Sequence, residues 1–167
     1  PAFVPGAPQT PEVARANREA QQKFVDELLK YVVPNVEKNY RVLTTRENRA
    51  IAGLSMGAGQ TLAVAPTHLD QFAWIGVWSG GVNPPQEADF LSRNAAFFEN
   101  PEKTNKQVKL LWVGVGSNDT LAGAGTKNLA RILQEKGIRH EFHESEGGHT
   151  WINWRHYLND YSQLLFQ

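Results

Sequence analysis

Residues 49–57 read Arg-Ala-Ile-Ala-Gly-Leu-Ser-Met-Gly, and residues 58–65 continue Ala-Gly-Gln-Thr-Leu-Ala-Val-Ala. Arg49–Leu54 is a short apolar run of strand length, whereas Ala58–Ala65 reads as helix. A strand that passes straight into a helix through Gly53-Leu54-Ser55-Met56-Gly57 needs a sharp turn. In such a turn Ser55 is held in a strained conformation, and side chains at Gly53 and Gly57 are expected to clash. The turn lifts the serine hydroxyl above the C-terminal end of the strand, where open α/β sheets bind ligands.

Three further short runs lie downstream, at Phe72–Trp78, Val108–Val115 and His140–Glu144. The first three of the four are so continuously apolar that they read as parallel strands covered on both faces. Helical segments are expected at Ala58–Ala65, around Phe90–Phe98, over Thr126–Lys136 with Gly137 as C-cap, and over Trp154–Phe166. Alternation of strand and helix predicts an α/β fold, a doubly wound parallel sheet with right-handed crossovers. Upstream, residues 1–11 carry Pro1, Pro5, Pro8 and Pro11 and read as an extended arm or linker ahead of the domain at 12–167. Thr10-Pro11-Glu12 is a helix start, with a hydroxyl cap, proline in the first turn and an early acid. Val13, Ala16, Ala20, Phe24, Leu28 and Val32 then make one apolar stripe along a long amphipathic helix that Pro34 ends or kinks.

Composition narrows the chemistry. At 167 residues the chain holds one domain's worth of core, and 17 basic residues balance 17 acidic ones. Without net positive charge it lacks the field that collects phosphates, so nucleic acid is not an expected partner. No apolar run is long enough to cross a bilayer, and a membrane is not expected either. The absence of cysteine removes disulfides, thiolate metal sites and cysteine nucleophiles together.

A serine nucleophile needs a base, and the base needs an orienting acid. After the fourth run comes Glu146-Gly147-Gly148-His149-Thr150-Trp151, where two glycines allow the loop to place His149 at the C-terminal edge of the sheet. His140 and His143 fall within the fourth strand on opposite faces, which rules them out as a joint metal pair. His68 belongs to a surface turn after Pro66, and His156 lies in the last helix, in a capping or packing role. The third run ends in Gly114-Val115-Gly116-Ser117-Asn118-Asp119, so Asp119 is the expected acid. Its competing role is an Asx-turn or helix cap. Glu144 and Glu146 are nearer in sequence to His149, but nearness along a strand does not supply a bond to Nδ1. Ser…Asp…His is the chain order of the α/β-hydrolase fold.

Asn39-Tyr40-Arg41-Val42, Ile51–Gly57 and Gly147-Gly148-His149-Thr150-Trp151 resemble the esterase-D-like α/β-hydrolases, in particular carbohydrate esterase family 1, the feruloyl and acetyl-xylan esterases. Trp154-Arg155-xx-Leu158 and Leu164-Leu165-Phe166 are similar to that family's C-terminal helix. The resemblance runs from Phe24 onward, with Ala58 standing where glycine is common. It implies hydrolysis of an ester that joins an aromatic or acetyl acyl group to a plant cell-wall sugar, in a secreted or periplasmic setting and without cofactor or metal. Relatives with this core cleave formylglutathione or siderophore esters.

On this reading Ser55 attacks the carbonyl, His149 removes its proton, Asp119 holds the imidazole, and the Met56 amide stabilises the oxyanion. Trp151 either lines the acyl or sugar pocket or belongs to the core. The competing function is a carbohydrate-binding or scaffold module without turnover. In the resembled family several strands precede the nucleophile strand, and a loop among them supplies the second oxyanion amide. The chain is therefore expected to be the C-terminal part of such a fold, with four strands in one parallel sheet in sequence order. Arg49–Leu54 would be an open edge, and a separate chain or fragment carrying the upstream strands is the expected partner.

Overall fold

The four short runs become four parallel strands in the computed structural model, which describes residues 10–167. They are Ala50–Leu54 (β1), Trp74–Trp78 (β2), Leu110–Gly116 (β3) and Glu141–Ser145 (β4), and their order in the sheet is their order in the chain. Register aligns Leu54 with Trp78, Trp78 with Gly114, and Gly116 with Ser145, so the C-terminal ends lie side by side. The helices between and after them are Met56–Val64 (α3), Glu87–Arg93 (α4), Ala95–Glu99 (α5), Pro101–Gln107 (α6), Gly123–Glu135 (α7) and Trp151–Gln163 (α8).

Side chains alternate across a strand, and here the alternation separates two cores. Ile75, Val77, Leu111 and Val113 point to one face and pack with Ala58 of α3, Phe90 of α4, Phe97 of α5 and Leu129, Ile132 and Leu133 of α7. Trp74, Trp78 and Trp112 point to the other and pack with Trp154, Tyr157 and Tyr161 of α8. The second core is held by edge-to-face aromatic pairs, Trp78 against Trp112 at 6.2 Å and against Tyr161 at 5.7 Å. Burial pushes the Tyr161 hydroxyl well above the usual phenol range.

Every residue of β2 is buried, as is β3 from Leu111 onward, as expected of strands covered on both faces. β1 differs from that expectation. It pairs only with β2 among the described residues, and Ala52 at its centre is exposed. β4 is exposed over Glu141–Glu144, being the last strand at the opposite end.

Leu43–Gln167 forms one unit and the chain up to Val42 another. In the unit up to Val42, Thr10 caps Pro11–Glu27 (α1) by accepting from the Val13 amide at 3.3 Å. Of the two outcomes expected at Pro34, an end or a kink, the helix does not end there. Leu28–Val32 winds as a π-type turn, with the Val33 amide bonding back to Leu28, and the helix continues as Val33–Asn39 (α2). That one-residue widening accommodates a proline that has no N–H to offer and whose ring crowds the preceding turn. Residues 1–9 of the expected proline-rich arm lie outside the described residues. α6 was not anticipated: Asn100 caps it by accepting from the Lys103 amide at 2.9 Å, with Pro101 in its first turn. α8 begins three residues before the expected Trp154.

The turn between β1 and α3 is as strained as its sequence implies, with Ser55 at φ 52° and ψ −117°. The two glycines beside it are not equivalent. A Cβ on Gly53 would lie 2.1 Å from the Gly57 carbonyl oxygen, whereas a Cβ on Gly57 meets nothing within 4 Å, contrary to the expected clash there. Gly53→Ala should therefore destabilise the fold by about 3 kcal/mol or more, because backbone must move against backbone. Gly57→Ala, at a helical position, should stay within about 1 kcal/mol of wild type. Paired denaturant melts check the contrast, and equal effects of the two substitutions would contradict it.

Candidate active site

Three strand ends and one loop converge above the sheet. Ser55 follows β1, Asp119 follows β3 and His149 follows β4. His149 Nε2 lies 2.9 Å from Ser55 Oγ, and His149 Nδ1 lies 3.0 and 3.2 Å from the two carboxylate oxygens of Asp119. The three residues singled out in the sequence are thus in one hydrogen-bonded chain. Ser55 is partly exposed, the Asp119 side chain is fully buried, and the imidazole is 20% exposed.

Each member is fixed by its local chain. The Ser55 amide donates to the Trp78 carbonyl at 2.9 Å, extending the β1–β2 ladder into the turn. Asp119 Oδ1 accepts from the amides of Leu121 and Ala122 at 3.1 and 2.8 Å, so it makes the local turn and also faces the histidine. The His149 loop is tied to the Asp119 loop by bonds from the Ser117 amide to Ser145 O at 2.7 Å and from the Asn118 amide to Gly147 O at 2.8 Å. Gly147 sits at φ +92°, a left-handed position that suits glycine.

Behind this loop Asn153 of α8 acts as a clamp that sequence reading did not reveal. Its Nδ2 donates to the Glu146 carbonyl at 2.7 Å and to Ser145 Oγ at 3.0 Å, and its Oδ1 accepts from Thr150 Oγ1 at 3.1 Å. Trp154, one helical step on, sets its ring edge-on to the imidazole at a centroid distance of 4.9 Å and donates Nε1–H to Ser79 Oγ at 2.9 Å. The available signal was a serine at the end of β2 followed by two glycines, with Asn153 and Trp154 in the first turn of the helix after His149.

The competing residues are engaged elsewhere. Glu144 pairs with Lys127 at 2.9 Å, and Glu146 takes part through its backbone carbonyl. His68 Nδ1 contacts Thr67 Oγ1 and Val64 O. His140 falls just before β4 rather than within it, with Nδ1 2.9 Å from Ile138 O. His143 stacks on Trp112 at 4.4 Å, and His156 is exposed rather than packed. Trp151 is 68% exposed, which removes it from the core, and its ring stands 5.2 Å from Trp154. Met56 next to Ser55, Ile152 next to Trp151, and Leu121 two residues after Asp119 are also exposed. As the first residue of α3, Met56 has no i−4 carbonyl for its amide, which leaves that N–H available beside Ser55.

Burial by itself would raise the Asp119 carboxyl. The Ala122 amide, followed by His149 and Ser79, outweighs that cost and holds it below the usual carboxylate range. A carboxyl lowered by folding stabilises the fold above its unfolded value, about 3.9, and loses that contribution as pH falls through the lower folded value. The stability gap between wild type and Asp119→Asn should therefore persist at every pH above about 4 and close only below it. Thermal melts across that range read it directly; a gap already gone at neutral pH would contradict the charge on Asp119.

With this geometry in place, three comparisons bear on identity. A family model described as "Putative esterase" matches residues 5–165. A curated endo-1,4-beta-xylanase/feruloyl esterase from Xylanibacter ruminicola is 29% identical over 147 residues, which is 87% of this chain and 18% of that protein. Among solved structures, a CE1 ferulic acid esterase from Anaeromyces mucronatus in complex with ferulic acid superposes with a TM-score of 0.74 at 24% identity, covering 99% of this chain and 62% of that one. An S-formylglutathione hydrolase from Staphylococcus aureus superposes at 0.66 with 19% identity, covering 89% and 64%. The chain thus spans less than two thirds of the length of each, and the likeness to the solved structures establishes the α/β-hydrolase fold.

Proposed function

The chain belongs to the esterase family, and from that premise we propose that it is the nucleophile-bearing part of a serine carboxylic-ester hydrolase that removes feruloyl or acetyl groups from plant cell-wall polysaccharide. The single observation that carries the chemistry is the continuous contact Ser55 Oγ–His149 Nε2 and His149 Nδ1–Asp119.

In this mechanism Ser55 Oγ attacks the ester carbonyl as His149 Nε2 takes the hydroxyl proton, and the imidazolium is held by the ionised Asp119. The carbonyl π electrons move onto oxygen, where the Met56 amide donates to the oxyanion. Collapse breaks the bond to the sugar oxygen, which leaves with the proton from His149, and the acyl group stays on Ser55. Water then repeats the sequence with His149 as base, releasing the acid and restoring the serine. Support for an aromatic acyl group comes from the name of the curated relative and from the exposed apolar side chains of Met56, Leu121, Trp151 and Ile152, which lie close in sequence to Ser55, Asp119 and His149.

The second oxyanion donor, and the strand that covers the free side of β1, belong in this proposal to polypeptide outside these residues. A strand paired on one side leaves a row of backbone N–H and C=O groups unsatisfied on the other, and β1 pairs only with β2 among the described residues.

The test is hydrolysis of p-nitrophenyl acetate, methyl ferulate, acetylated xylan and S-formylglutathione by the complete protein. Methyl ferulate or acetylated xylan should be turned over, and Ser55→Ala should lower kcat by roughly 1,000-fold or more. Wild-type turnover in Ser55→Ala would overturn the mechanism, and preference for S-formylglutathione would overturn the substrate class.

A further inference from the structure

His149 stands on the most freely hinged stretch of the site. Gly147 and Gly148 precede it, and neither has a side chain to restrict the backbone. The Thr150 amide bonds across His149 to the Gly148 carbonyl at 2.9 Å, which makes the histidine the middle residue of a three-residue turn. A small rotation at either glycine would carry the imidazole away from Ser55 Oγ, which it meets at 2.9 Å. The chain on both sides of this turn therefore has to be held, and one side chain reaches both.

That side chain is Asn153, the third residue of α8 and 6% exposed. Ahead of His149, its Nδ2 donates to the Glu146 carbonyl at 2.7 Å and to Ser145 Oγ at 3.0 Å. After His149, its Oδ1 accepts from Thr150 Oγ1 at 3.1 Å. Chemistry fixes which way the amide faces. The Glu146 carbonyl can only accept, so the NH2 must point to it, and this leaves the amide oxygen for the Thr150 hydroxyl. The glycines beneath are in close contact with the same amide: a Cβ on Gly147 would lie 2.6 Å from Asn153 Oδ1, and one on Gly116 2.9 Å from Nδ2.

Thr150 shows what the helix gives up for this arrangement. It is the N-cap of α8 at φ −134° and ψ 153°, where a threonine hydroxyl ordinarily accepts from an amide of the first turn. Here the hydroxyl makes no such cap bond and is turned to Asn153 instead. A helix that leaves its own first turn without a side-chain cap in order to fasten the preceding loop points to a use for the fastening outside the helix.

We propose that Asn153 is a positioning residue for His149: by tying Ser145 and Glu146 before the histidine to Thr150 after it, the carboxamide holds the imidazole within proton-transfer distance of Ser55. The inference deepens the esterase reading and rests on it for its kinetic consequence. Asn153 acts through the loop and touches no reacting atom, so its loss should misplace the base and leave ester binding alone.

The test is Asn153→Ala in the complete protein, with Thr150→Val as the second variant. The valine keeps the branched shape and removes only the hydroxyl, and α8 loses no cap because that hydroxyl provides none. Per molecule of folded protein, Asn153→Ala should keep KM nearly unchanged and lose roughly 10- to 100-fold in kcat, the scale of misplacing a reacting group by about 1 Å. Thr150→Val should lose less in the same direction. Proton NMR gives a readout independent of turnover: the His149 Nδ1–H resonance, sheltered in the wild type by its bond to Asp119, should broaden through exchange with water in both variants. Wild-type kcat with an unchanged resonance would overturn the role, as would a loss confined to KM or one that only tracks the loss of folded protein. If Asn153→Ala does not fold, Thr150→Val decides by the same criteria. If the wild type itself hydrolyses no ester, the esterase reading falls, and the resonance alone decides whether Asn153 positions the histidine.

Discussion

The site depends on one constraint, which is that His149 and Ser55 start from opposite ends of the sheet. β1 and β4 are separated by three interstrand spacings, or roughly 14 Å, yet the imidazole lies 2.9 Å from the serine oxygen. The His149 loop must therefore reach over the ends of β3 and β2, and everything beneath it must be small or must hold it up. Gly116 is one answer, since a Cβ there would lie 2.4 Å from the Gly147 carbonyl. Asn153, Trp154 and Ser79 are the others. They join α8 to the loop, to the imidazole and to the serine that follows β2.

The burial of Asp119 shows how a charge survives in such a place. An isolated buried carboxylate would take up a proton. Here the donors are supplied by its own turn, through the Leu121 and Ala122 amides, and by the histidine it serves. The Asx-turn that competes in sequence with a role in the site is in fact part of it, because one side chain does both jobs. The same economy appears in the β1–α3 turn. There the contact of Gly53 against Gly57 and Ala58 lets strand and helix approach closely, and Ser55 carries the backbone strain.

Much of this was legible in the sequence because it is written in strong local signals. Continuous apolar runs marked β1, β2 and β3, the mixed run His140–Glu144 marked β4, and Ser55, Asp119 and His149 each come shortly after the end of one of these runs. What was not legible depends on contacts between distant segments. Ser79 looks like any strand-end serine until the fold sets Trp154 behind it, and Asn153 looks like a helix-surface amide until the Glu146–Gly147 loop closes on it. α6 was missed although Asn100-Pro101-Glu102 repeats the cap, proline and acid of Thr10-Pro11-Glu12. At Pro34, expected to end or kink the helix, the helix runs on because a π-type turn just before it relieves the crowding that the one-dimensional rule assumes.

The central claim is that Ser55 is an activated nucleophile, held by His149 and Asp119. Its most direct test is to expose the complete protein to a fluorophosphonate and map the adduct by peptide mass spectrometry. The account predicts a single phosphonyl group on Ser55, abolished in His149→Ala, because the hydroxyl is unreactive without its base. Labelling absent from wild type, or labelling of Ser55 that survives His149→Ala undiminished, would contradict it.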